Sequence, residues 1–98
     1  MAEGLDAPQR QRLDRWLFFS RAVKSRTLAQ KLIEAGQVRV NSSRVVASDR
    51  LVGPGDVLTM TLNRRLRVWR IVGAGSRRGP AAEAALLYQD LTPDIGEA

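Results

Sequence analysis

Arg21, Lys24 and Arg26 bracket a short polar run, Lys24-Ser25-Arg26-Thr27, and Gln30 and Lys31 follow one helical turn later. Guanidinium and ammonium groups supply charge and several N–H donors. The Ser25 and Thr27 hydroxyls add directed donors beside them. Phosphate is the group that such a combination holds. Arg12 and Arg15 precede the run; Gln37, Arg39 and Asn41 follow it at alternate positions, with Arg44 just beyond. A single arginine on a helix is ordinarily a solvated surface charge. This group departs from that pattern, because Glu34 is the only acid between Lys24 and Arg44. Arg64, Arg65 and Arg67 read differently, since charge at a hairpin tip or sheet edge commonly serves to block aggregation. Arg77 and Arg78 fit either a basic clip or a polar linker.

The whole-chain charge points the same way. Of 98 residues, 16 are Lys or Arg and 10 are Asp or Glu, a net charge of +6. Every basic residue falls between Arg10 and Arg78, a span whose acids are Asp14, Glu34, Asp49 and Asp56. Such a middle repels itself unless a polyanion is near. Nucleic-acid phosphates are the commonest polyanion, and an anionic membrane surface is the next candidate. The chain has no cysteine and no histidine, which removes disulfides, thiolate zinc sites, nucleophilic triads and the usual neutral-pH proton shuttle. The central acids are scattered, so no carboxylate pair is forced together. Gly73-Ala74-Gly75 leads into Ser76-Arg77-Arg78 rather than a phosphate loop. The expectation is a non-catalytic binder without cofactor or metal. No stretch approaches the ~20 apolar residues of a membrane span, and no secretory signal opens the chain. A cytoplasmic protein with no membrane partner is therefore expected.

Elements must position these residues. A first helix is expected to begin near Gln9 to Arg12, with Leu13, Trp16, Leu17 and Ser20 at the i, i+3, i+4, i+7 spacing of one face. Ser25 suits an N-cap. A second helix is predicted over Arg26 to Ala35, with Leu28, Ala29, Leu32 and Ile33 as its apolar stripe. Gly36 fits a helix C-terminus that needs positive φ. The period then changes to two, placing Val38 and Val40 inward and Gln37, Arg39 and Asn41 outward. Asn41-Ser42-Ser43 reads as a turn, Arg44-Val45-Val46 as a return strand, and Gly53-Pro54-Gly55-Asp56 as a second turn. Val57 to Leu62 and Leu66 to Val72 form a hairpin around Asn63-Arg64-Arg65. Gly73, Gly75 and Gly79-Pro80 mark a flexible junction, and Ala81 to Gln89 should be a short helix. Trp16, Phe19 and Trp69 are assigned to the core. Phe18 is expected to pack on the sheet or the last helix rather than stack on a base.

This order is α+β: two N-terminal helices on a small, mainly antiparallel sheet of four or five strands, then a short C-terminal helix. Residues 1–9 are expected to be a leader, 10–73 the binding domain, 74–91 the Gly/Arg junction with its helix, and 92–98 a loose tail.

Arg12-Leu13-Asp14-Arg15-Trp16-Leu17, Ser25-Arg26-Thr27-Leu28-Ala29 and Ile33-Glu34-Ala35-Gly36-Gln37-Val38-Arg39-Val40-Asn41 resemble the S-4-type RNA-binding domain, as does Pro54-Gly55-Asp56-Val57. Arg78-Gly79-Pro80-Ala81-Ala82-Glu83-Ala84-Ala85-Leu86-Leu87-Tyr88 narrows the resemblance to the small ribosome-associated heat-shock family of bacteria. It covers about residues 10 to 92. The resemblance implies an S-4-like (alpha-L) RNA-binding fold. It also implies binding to structured ribosomal RNA on the large subunit, recycling of subunits that still carry a nascent chain on tRNA, and transfer RNA as a further partner. By position it implies RNA contacts at Arg12, Arg15, Arg21, Lys24, Ser25, Arg26, Gln30, Lys31, Arg39 and Asn41. Two departures stand out: Ser42 occupies a position where the family often has Gly, and the basic C-terminal tail common in the family is not seen after Asp94.

Two other functions remain open. The paired helices resemble a DNA-binding helix–turn–helix regulator, although an alternating strand directly after Gly36 puts the basic residues on a sheet rather than a recognition helix. DNA binding is expected to be weaker than RNA binding. An RNA-binding appendage of a modifying enzyme is the other alternative, if the chain is a fragment. A monomer is expected.

Overall fold

The computed structural model describes residues 10–93, so the expected leader at 1–9 and the tail beyond residue 93 lie outside the described residues. Its elements in order are β1 (Gln11–Arg12), α1 (Leu13–Phe19), α2 (Arg26–Glu34), β2 (Val38–Val40), β3 (Ser43–Val45), β4 (Leu51–Val52), β5 (Val57–Leu62), β6 (Arg65–Ile71), α3 (Ala81–Ala84), a 3₁₀ turn (Ala85–Leu87) and β7 (Tyr88–Asp90). Strands β3-β2-β5-β6-β7 form one antiparallel sheet, and β1 pairs with β4 in a separate two-stranded ribbon. The α+β reading and the two-helix layer on an antiparallel sheet are as expected.

The inward face of the sheet and the two helices share one core. Leu13, Trp16, Leu17, Ala29 and Ile33 from the helices meet Val38, Val40, Leu58, Met60, Trp69 and Ile71 from the strands. Trp16 lies edge-on to Trp69 and to Tyr88, with ring centroids 6.3 and 6.4 Å away. Trp69 and Tyr88 stack at 3.7 Å. The Trp16 indole N–H donates to the Gly73 carbonyl at 2.9 Å, so even its polar edge is satisfied inside the core.

Several expectations are corrected. The first helix starts at Leu13, because Gln11 and Arg12 pair with Val52 and Leu51 instead of extending it. Its first two amides donate to the Arg50 and Ser48 carbonyls. Leu28 is 48% exposed rather than part of the buried stripe, because it lies on an open groove beside Lys24, Lys31 and Arg78. Phe19 is only half-buried, outside the main cluster. It packs against Gly75, where an added Cβ would come within 2.6 Å of the Phe19 Cβ. The predicted helix over Ala81 to Gln89 is cut short, because Tyr88 and Gln89 pair with Ile71 and Arg70 and add a fifth strand. Sheet pairing and the Tyr88 stack outweigh helix propensity there.

The junction after β6 is tied down at several points. The Gln11 side chain donates to the Gly75 carbonyl at 2.8 Å and accepts from its N–H at 3.1 Å. Arg21 donates to the Gly79 carbonyl at 2.8 Å, and Arg78 donates to the Val23 carbonyl at 3.3 Å. Arg78 also covers the Phe18 ring at 5.2 Å. Phe18 is thus covered by the junction's Arg78, with the Phe19 ring 5.9 Å away.

The two-residue loop between β2 and β3 holds Asn41 at φ 52° and Ser42 at φ 75°. Both signs are those of a type I′ hairpin turn, which matches strand twist but penalises residues with a Cβ. Ser42→Gly should therefore raise stability by roughly 0.5–1 kcal/mol, the relieved left-handed strain less the added chain entropy of glycine. Urea denaturation measures it, and a midpoint no higher than the parent's would contradict the strain.

Candidate nucleic-acid interface

Asp14 has no accessible surface, yet carries a charge. It stands beside the apolar stripe of α1 and is closed off by the connection from β3 to β4, whose Ser48 carbonyl accepts its backbone N–H at 3.2 Å. Arg12 approaches the carboxylate in a fork, Nε to Oδ1 at 3.1 Å and Nη2 to Oδ2 at 2.9 Å. Gln30 Nε2 donates to Oδ2 at 3.0 Å, and Arg26 Nη2 stands 3.8 Å from the same oxygen. One buried acid thus gathers residues from β1 and from the first two turns of α2. The outer sides of both guanidiniums stay in solvent, their side chains 43% and 44% exposed. Burial works to raise the Asp14 pKa, but the hydrogen bonds from Arg12 and Gln30 outweigh it and hold the carboxyl below its ordinary value.

The start of α2 adds to this patch. Ser25 caps the helix, its hydroxyl accepting from Leu28 N–H at 3.1 Å. One lone pair of Ser25 is thus used by the helix, and its O–H remains as a donor. The amides of Arg26 and Thr27 have no acceptor among the described residues. They point from a helix N-terminus, where the macrodipole favours an anion. Thr27 and Lys24 are exposed beside them. Lys24, Leu28 and Lys31, together with Arg21, Asn63 and Arg78, line a groove. Arg15 is exposed on α1, its guanidinium 5.8 Å from the Phe19 ring centroid.

The strand residues form a second group. Arg39 pairs with Arg44 across β2 and β3, so the two share the sheet face opposite the core. Arg39 donates to the Ser42 carbonyl at 3.3 Å. The Arg44 side chain lies over Gly36, which takes φ 78° at the end of α2 and would meet Arg44 at 3.3 Å if it carried a Cβ. Gln37 is exposed between them. The Asn41 amide is engaged at both ends: it donates to Asp56 Oδ1 and accepts from Val57 N–H, each at 2.9 Å. It joins the hairpin loop to the Gly53–Asp56 turn.

Sequence reasoning missed Asp14 as the centre of the patch. Its place on the helical wheel, next to Leu17, hinted at partial burial. The connection that seals it is distant in sequence. No group of three or more potential metal ligands occurs among the described residues, and no helix among them is long and apolar enough to cross a membrane.

The S4 domain model matches residues 11–58. Heat shock protein 15 of Escherichia coli K12 is 36% identical over 84 residues, covering 86% of this chain and 62% of that protein. The RQC P-site tRNA stabilizing factor of Halalkalibacterium halodurans is 38% identical over 78 residues, covering 80% of this chain and 86% of that protein. The trimeric structure of heat shock protein 15 from Vibrio cholerae matches with a TM-score of 0.79 at 30% identity, covering 84% of this chain and 82% of that one. The chain spans 62–63% of the length of the heat shock protein 15 relatives from E. coli and Haemophilus influenzae.

The folded Asp14 pKa lies below the unfolded value of about 3.9. Its contribution to stability is therefore complete above that pH and is lost as pH falls through the lower folded value. Asp14→Asn should destabilise the protein by about 1–3 kcal/mol at neutral pH, as a charged hydrogen-bond acceptor is lost. The stability gap between parent and variant should narrow below about pH 4. Urea melts across pH 2.5–7 measure this, and a gap independent of pH would count against an ionised Asp14.

Proposed function

The chain belongs to the S4 domain family, and on that basis we propose that it is a non-catalytic RNA-binding protein that docks structured RNA on its α1–α2 face and the adjoining β2–β3 hairpin. The observation that carries the reading is the fixed geometry around Asp14, which presents Arg12 and Arg26 half-exposed beside the open amides of α2. A preset pair of guanidiniums loses little freedom on meeting a phosphate. Arg15, Arg21, Lys24, Thr27, Lys31, Gln37, Arg39 and Arg44 extend the surface, and Ser25, Gln30 and Asn41 hold its shape.

The finer reading is a cytoplasmic, ribosome-associated factor that binds ribosomal RNA of the large subunit and acts on subunits stalled with a nascent chain on tRNA. It is supported by similarity to proteins named heat shock protein 15 and RQC P-site tRNA stabilizing factor. Crosslinking in cells, followed by sequencing of the attached RNA, tests it. Recovery of messenger RNA rather than ribosomal or transfer RNA would reject it.

With about five phosphates contacted, log K for a structured RNA stem–loop should fall with log salt at a slope of roughly −3.5 to −4.5. Arg26→Ala with Lys31→Ala should weaken binding and reduce the slope by roughly 1.4–1.8 while leaving the fold intact. Fluorescence anisotropy over a salt series reads both. Tighter binding to duplex DNA than to the stem–loop would favour the helix–turn–helix alternative.

A further inference from the structure

A second basic cleft opens where the β5–β6 hairpin, the loop after α1 and the C-terminal segment meet. Arg65, Arg67 and Trp69 lie two residues apart on β6, so their side chains share the core-side face of the sheet. Toward the hairpin tip that face runs past the helices and is left open. Arg21 reaches the same cleft from the end of α1, where its backbone takes φ 66°. Leu62 and Tyr88 complete an apolar and aromatic wall. The cleft encloses about 520 Å³, within the roughly 300–1,000 Å³ of small-molecule sites.

Three features set the cleft apart from a solvated basic edge. No acid lines it. Neither the Arg65 nor the Arg67 side chain hydrogen-bonds or forms a close ion pair with a described residue, although Asp90 on β7 attracts Arg67 at longer range. Trp69, 7% exposed, carries an indole N–H that is buried and finds no acceptor among the described residues. Such groups are rare in folded proteins and call for a reason. The equivalent N–H of Trp16, by contrast, is bonded to Gly73.

We propose that this cleft is a nucleotide site, centred on β6 and adjoining the α1–α2 face at Arg21. The phosphate sits between Arg65 and Arg67 with Arg21 beside them. The base lies against Leu62 and Tyr88, whose ring is backed by Trp69 at 3.7 Å, and a shift of this lining on binding uncovers the buried Trp69 indole N–H for one of the nucleotide's acceptors. Guanidiniums select the phosphate, and the aromatic wall accepts the flat face of a base without strong preference among bases. The nucleotide is either free or one unstacked residue of an RNA strand.

The test is ¹H–¹⁵N NMR of the full chain, in which the two tryptophans give two indole cross-peaks. Adenosine and uridine 5′-monophosphates should shift the Trp69 indole peak and leave that of Trp16 in place. Arg65→Ala with Arg67→Ala should weaken this binding on the order of tenfold or more, as charged hydrogen bonds are lost. Arg26→Ala with Lys31→Ala should not change it, which separates this site from the RNA face proposed above. A single-stranded RNA tetramer binding more tightly than the monophosphates identifies a strand-borne nucleotide; equal affinity identifies the free one. A Trp69 peak unmoved at millimolar nucleotide overturns the proposal. So does an equal response to ribose 5-phosphate, or full binding by the Arg65/Arg67 double variant.

Discussion

A carboxylate buried without partners is costly, and Asp14 is fully enclosed. Arg12 and Gln30 offset that cost by hydrogen bonds that hold them in place, and Arg26 stands 3.8 Å from the same carboxylate. The arrangement needs β1 to end at Arg12, α1 to begin at Leu13 and α2 to start at the right height to bring Arg26 and Gln30 inward. It also needs the segment before β4 to close over the top. One polar contact thus ties together the ribbon, both helices and the long connection. It converts flexible basic side chains into a preset surface.

The aromatic cluster does for the other half of the molecule what Asp14 does for the first. Trp16, Trp69 and Tyr88 come from α1, β6 and β7, and their mutual packing fixes how the C-terminal segment closes the sheet. Trp16 reaches on to Gly73, Gln11 holds Gly75, and Arg21 holds Gly79. Glycines that read as a flexible joint are thereby attached to the helical layer.

Much of this could be read from local pattern. The Leu13, Trp16, Leu17, Ser20 stripe is buried as spaced, Ser25 caps α2 and Gly36 takes positive φ. These depend on neighbours within a turn or two, which periodicity and capping chemistry describe well. Leu28 kept the helical spacing but lies half-exposed on an open groove. Tyr88 and Gln89 followed strong helix formers, yet pair with β6. Both cases turn on what another element supplies, and a local pattern carries no record of that.

The amino-acid sequence by itself determined the excess of positive charge, the absence of histidine and cysteine chemistry, the helix–helix–strand order and the residues able to meet phosphate. These are properties of composition and short-range spacing. Only the tertiary structure decided which basic residues are held by Asp14, which form the Arg39–Arg44 pair, and which line the open cleft, Arg65 and Arg67 among them. The physical reason is that charge is a property of a residue, whereas its pairing depends on distance. Those distances are set by packing between segments far apart in the chain.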